Sequence, residues 1–193
     1  MRFTRTAGAA MGVALTVAAA FPGPAGAETV TSAVHGGALS LTSQPVTFNA
    51  ATLNGANQTI SASPASPWSL TNARGTAAGW TATISATDPT SPGGSVETTD
   101  RTIPVGNLSV STGTVTAGVG SDPTTNITGA SGLALSGSAQ TLISSSGTSK
   151  GTYTFSPTFS LLVPANAFRS NYSGTVGSSA ASAYTSTITL SIS

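Results

Sequence analysis

YTSTITLSIS, residues 184–193, alternates with period two. In an extended chain Tyr184, Ser186, Ile188, Leu190 and Ile192 share one face, and Thr185, Thr187, Thr189 and Ser191 share the other. Alternation of this length predicts a half-buried strand with the first set turned to a core. The same parity in WTATISAT, residues 80–87, sends Trp80, Ala82 and Ile84 inward and Thr81, Thr83 and Ser85 outward. It also pairs Trp68 with Leu70, so both tryptophans are predicted to be buried.

Outward from these segments the chain breaks into short runs of Val, Ile, Leu, Thr and aromatic residues separated by Gly, Pro, Asn and Asp. Strands are predicted over 29–34, 38–42, 46–49, 59–63, 68–71, 80–87, 108–116, 140–144, 152–155, 158–163, 172–176 and 184–192. Such spacing marks an all-β protein, read here as a single β-sandwich of short, mostly antiparallel strands. Two stretches, 88–102 (DPTSPGGSVETTDRT) and 118–132 (GVGSDPTTNITGASG), read as long polar loops. They carry most of the acidic side chains, and polar loops on a rigid scaffold often serve recognition.

The first residues have a different logic. Arg2 and Arg5 precede an apolar run over 7–21, followed by Pro22-Gly23-Pro24 and the small triplet Ala25-Gly26-Ala27. This is the pattern of a secretory signal peptide, 1–27, removed after Ala27 to leave 28–193 as the folded domain. The apolar run is shorter than the roughly 20 residues a spanning helix needs. No later segment is apolar enough to insert into a membrane, and no Leu-Pro-x-Thr-Gly signal follows, so the exported chain is expected to be released or held without a covalent link. Residues 28–193 hold four basic side chains (Arg74, Arg101, Lys150, Arg169) and five acidic ones (Glu28, Asp88, Glu97, Asp100, Asp122), a formal charge of −1. A basic surface for nucleic acid is therefore not expected. Cysteine is absent, so packing and sheet hydrogen bonds must hold an exported fold without disulfides.

Catalytic chemistry finds little to work with. His35, beside Gly36-Gly37, is the only candidate base for a serine hydrolase and reads as an ordinary loop residue. No cofactor and no His/Cys metal set is expected. Calcium would require Asp88, Glu97, Asp100 and Asp122 to converge from the two long loops. Lys150 invites comparison with the Lys–Asn crosslinks of some surface domains, although Ser149 and Gly151 place it in a turn. The Asn-x-Ser/Thr triplets at Asn57, Asn107, Asn126 and Asn171 are expected by chance in a chain so rich in Ser and Thr.

Two fragments, PWSLTNARGTAAGWTATISAT (67–87) and LLVPANAF…NYSGTV…SAYTSTITLSIS (161–193), together resemble the WxL-type wall-binding domain of Gram-positive surface proteins. In that family a Trp-x-Leu follows a polar turn with Asp and Arg-Gly, and a second follows Tyr in the final strand. Here Asn72 stands at the Asp position, Arg74-Gly75 is retained, and Trp80 is followed by Ala82 in place of Leu. Tyr184 is retained, while Leu190 and Ile192 stand at the second Trp-x-Leu. The literal Trp68-Ser69-Leu70 precedes the turn. The resemblance implies a β-sandwich, no enzymatic activity, and Trp68, Leu70, Asn72, Arg74, Gly75, Trp80 and Tyr184 as motif-equivalent positions.

The expected function is thus that of a secreted or wall-associated protein whose partners are cell-wall glycan (peptidoglycan) or other surface proteins. With so few charges, binding would rest on hydroxyl and backbone hydrogen bonds and on any exposed aromatic. The alternative is a fibre or pilus-like subunit. There the uncharged segment 29–42 would add to the edge of a neighbouring copy, giving a homo-oligomer through edge strands.

Overall fold

Alternation becomes architecture through pairing, and every pairing among the described residues, 30–193, is antiparallel. The structure is a computed structural model. One four-stranded sheet has the order β1 (Leu39–Thr42), β3 (Trp68–Asn72), β12 (Gly151–Phe155), β8 (Val115–Ala117). A second runs β10 (Leu133–Ala134), β7 (Leu108–Ser111), β13 (Thr158–Val163), β2 (Gln58–Ala62). A third runs β16 (Ile188–Ile192), β4 (Trp80–Ala86), β11 (Gln140–Ser145), β9 (Ile127–Gly129). Two ribbons complete the set: β5 (Thr90–Ser91) with β6 (Arg101–Thr102), and β14 (Asn171–Tyr172) with β15 (Ala181–Ser182). Single 3-10 turns follow Pro104 and Pro123, at Val105–Asn107 and Thr124–Asn126. The fold is all-β, its sheets packed on one another about a shared core, as the alternation predicts.

That core is built from the inward parity positions. Trp80, Ala82 and Ile84 are buried while Thr81, Thr83 and Ser85 are not, and Trp68 and Leu70 are buried on β3. Trp68 packs edge-on against Phe155, centroids 5.9 Å apart, and lies 6.0 Å from Phe159. Offset and edge geometries of this kind suit the ring quadrupoles and add to the apolar area buried. Ile188, Leu190 and Ile192 are half-buried against the same cluster.

The first two sheets share a bent ladder. Thr158 pairs with Ser111 and Phe155 with Val115, so β13/β7 and β12/β8 form one antiparallel pair with a one-residue register slip. Gly113 absorbs the slip at φ +74°, where a Cβ would lie 2.9 Å from the Ser156 carbonyl oxygen. Next to it Thr112 is buried and turns toward the third sheet. Its amide donates to Ala130 O and its hydroxyl to Leu142 O, each at 2.9 Å. The strand predicted over 108–116 is therefore broken, because Thr112 makes its bonds to another layer.

Other departures have similar causes. Residues 30–34 are exposed and form no strand, and position 29 and the signal peptide lie outside the described residues. Residues 46–49 follow Pro45 and do not pair in a sheet. The expected strand 172–176 shrinks to β14. The last strand starts at Ile188, with Thr185 upstream held by an isolated bridge to Thr90. The long loop 88–102 contains the β5/β6 ribbon, and 118–132 contains a 3-10 turn and β9.

Candidate functional site

The motif-equivalent residues fall mostly in one closed clasp at an end of the first and third sheets. β3 turns into β4 through 73–79, and β11 turns into β12 through 146–150. Asn72, 1% exposed, donates from Nδ2 to Ser149 O at 2.9 Å. Its Oδ1 accepts from the Arg74 amide (3.3 Å) and from Arg74 Nε (3.1 Å). Arg74 Nη2 then donates to the carbonyls of Ala78 and Gly79, at 3.2 and 2.9 Å, closing the turn over Gly75, which has φ +70°. Trp80 Nε1 donates to the buried Ser149 hydroxyl at 2.7 Å. At Gly79 the turns touch so closely that a Cβ would run into the Ser145 carbonyl. Leu70, Asn72 and Trp80 are thus buried, their side chains spent on the core and on the clasp. Ser149, which unites the clasp, carries no sequence signal beyond lying in a turn.

Tyr184 lies elsewhere, half-buried, its hydroxyl donating to Phe168 O at 2.9 Å. Burial raises its pKa, with Arg101 opposing. It lines a groove of about 590 Å³ between residues 43–48 and 183–190. Trp68, Leu108, Phe159 and Leu161 form the floor, and Trp68 Nε1 donates to Gln44 O at 3.1 Å on one bank.

The acidic residues do not converge. Asp88 accepts from the Val105 amide (2.7 Å) and Asp100 from the Gly93 amide (2.8 Å). Asp122 accepts from the amide and the Nζ of Lys150, at 2.7 and 2.8 Å. Glu97 binds Arg101 (2.8 Å) and Arg169 (2.7 Å) and accepts from the Tyr172 amide (2.8 Å). Among the described residues no three His, Cys, Asp or Glu side chains form a metal cluster, and the four acids that calcium would require are each engaged separately. The loop acids brace backbone and cations. Lys150 is half-exposed in its ion pair with Asp122, in the turn where Ser149 and Gly151 place it. Hydrogen bonding to Arg169 is the main cause that brings Glu97 down from 4.5 to about 2, and the Lys150 bond likewise lowers Asp122. His35 is an exposed loop residue. Asn171 is fully buried, donating to the carbonyls of Ser91, Pro92 and Thr99, so its triplet offers no accessible amide in the folded chain.

One surface emerges only from the register. On the outer side of the β1–β3–β12–β8 sheet, Ser40, Thr71 and Thr152 form one transverse row. Thr42, Ser69, Thr154 and Thr116 form the next. These seven hydroxyl side chains share a face without a charge among them. Neighbouring strands stand about 4.8 Å apart, so the hydroxyls lie in regularly spaced rows that follow the twist of the sheet. The second row borders a cleft of about 280 Å³ where Pro67 and Phe155 accompany Thr114, Thr116, Thr154 and Ser156. Alternation shows that each Thr faces outward. Only the pairing aligns them.

No family model, no curated protein and no solved structure matches this chain.

Proposed function

We propose that the chain is a secreted, non-enzymatic surface protein that associates non-covalently with the Gram-positive cell wall, holding peptidoglycan against the hydroxyl face. The observation that carries this reading is the face itself: two transverse rows of Ser and Thr on four paired strands, bordering a cleft with Pro67 and Phe155. Hydroxyls both donate and accept, as sugar hydroxyls and acetamido groups require. The exposed Pro67 ring supplies apolar contact for a sugar face. The rows sit on a rigid sheet, so few side chains must be ordered when a polymer binds. The leader-like pattern of residues 1–27 and the resemblance to wall-binding domains support the same reading.

The test is retention of the purified chain on insoluble peptidoglycan, with and without attached teichoic polymers. Thr116, Thr152 and Thr154 are changed together to Val, which removes three hydroxyls while keeping the shape and the strand preference of each residue. Retention is expected to fall at least about tenfold, the equivalent of about 1.4 kcal/mol, with an unaltered melting temperature. Unchanged retention would discard the hydroxyl face as the site.

A further inference from the structure

The last strand has one edge on which no described strand hydrogen-bonds, with β1 nearby. β16 and β4 exchange hydrogen bonds through the odd-numbered residues of the C-terminal segment. Ser193 bonds Thr81 in both directions, at 2.9 and 3.0 Å, and Thr187 O accepts from the Thr87 amide at 3.1 Å. Thr189 and Ser191, opposite Ser85 and Thr83, are in phase with these pairs. In an antiparallel ladder the bonding direction alternates, so the N–H and C=O groups of Ser186, Ile188, Leu190 and Ile192 point away from β4. Among the described residues no strand pairs with that edge. Ser186, Ile188 and Leu190 also line the 590 Å³ groove, whose floor is apolar. An uncharged edge beside an apolar groove is a template for another strand.

Residues 30–34, VTSAV, carry the complementary pattern. Val30 and Val34 are 95% and 94% exposed, and the segment is uncharged and in no strand. In extended form Val30, Ser32 and Val34 share one face. The distance from Val30 to Val34 is about 13 Å at roughly 3.3 Å per residue, the same span as Ile188 to Ile192 on β16.

We infer that residues 30–34 of a second copy of this chain add as a strand to the open edge of β16, setting Val30 and Val34 into the groove. The edge amides and carbonyls gain partners, and two exposed aliphatic side chains leave water together with the groove's apolar floor. Donor segment and acceptor groove are different surfaces, so the contact is heterologous and propagates head to tail. The hydroxyl face takes no part, and this inference does not depend on wall binding. If both hold, a row of copies repeats the face and multiplies its hold on a polymer.

Complementation of two half-defective variants tests the assembly. Val30→Asp/Val34→Asp spoils the donor and leaves the groove intact. Ile188→Pro spoils the acceptor by removing an N–H that points away from β4, a place where an edge strand tolerates proline. In a sedimentation series the wild-type chain is expected to grow in mass with concentration, and each variant alone to stay monomeric. An equimolar mixture of the two should stop at heterodimers, the one intact donor meeting the one intact groove. Association that persists in the Asp variant, or a wild-type chain that stays monomeric, overturns the inference. Should Ile188→Pro fail to fold, the Asp variant mixed with wild type still decides the matter: it must cap the growing assemblies and lower their mean mass, and unchanged mass counts against the proposal.

Discussion

Trp80 and Ser149 lie 69 positions apart and meet at 2.7 Å, the indole N–H donating to the serine hydroxyl where both residues are buried. This bond joins two connections, 73–79 and 146–150, that each cross between the first and third sheets. Ser149→Ala removes the acceptor and strands a buried donor, which costs about 1–3 kcal/mol. Denaturant unfolding should show the midpoint falling at constant slope. A neutral substitution would mean that water replaces the hydroxyl.

Trp80→Ala should cost about 3–5 kcal/mol, because a ring 2% exposed leaves a cavity that its neighbours fill only in part. The contrary outcome is an unchanged melting temperature with weakened wall retention, the behaviour of an exposed sugar platform.

Asn72→Ala leaves Ser149 O without its donor and removes the acceptor of Arg74 Nε, while Arg74 Nη2 keeps its bonds to Ala78 and Gly79. A loss of about 1–3 kcal/mol is expected from the buried carbonyl alone. Wall retention measured well below the melting temperature should not change. A selective loss of retention in a fully folded Asn72→Ala protein would return the clasp to the binding surface.

Acid should loosen the Glu97 network. Arg169, the Tyr172 amide and Arg101 hold this carboxyl near about 2 in the fold against 4.5 ordinarily. Its contribution is then fully present above pH 4.5 and disappears as pH falls toward about 2. Asp122, lowered by Lys150, acts in the same direction. Melting temperature plotted against pH should fall less steeply across this window in Glu97→Gln than in the wild type. Parallel curves would show that Glu97 titrates alike in folded and unfolded chains.

Retention on peptidoglycan should change little with salt, since the proposed face has no charged side chain. Ion pairing would weaken as the Debye length drops from about 10 Å at 0.1 M to about 3 Å at 1 M. Complete release at high salt would move the site to the cations Arg74, Arg101, Lys150 and Arg169.

Much of this fold is legible in the chain because period two is a local signal. The parity of 80–86 and 188–192 gives the inward set directly, and the structure buries or half-buries each member. Partners are not local. Residues 46–49 have strand composition yet pair in no sheet, and the run through Thr112 breaks because its bonds go to Ala130 and Leu142. The polar stretch 88–102 reads as solvated loop, but Glu97 lies between Arg101 and Arg169, the second 72 positions away. The hydroxyl face is hidden for the same reason. Its residues come from four strands spread between Ser40 and Thr154, and only the register shows that they stand side by side.

The ladder that closes the third sheet ties Thr187 to Thr87, 100 positions away. Contacts so distant in sequence form late, because a long loop must close before any bond rewards it. During synthesis β4 therefore waits about a hundred residues before its outer partner arrives. Until then its polar edge is exposed to other strands. A chain cut short by its last ten residues would keep the Asn72–Ser149 clasp and most of the core, yet would expose a new edge on β4. Quality control would then meet a protein that is largely folded and prone to stick.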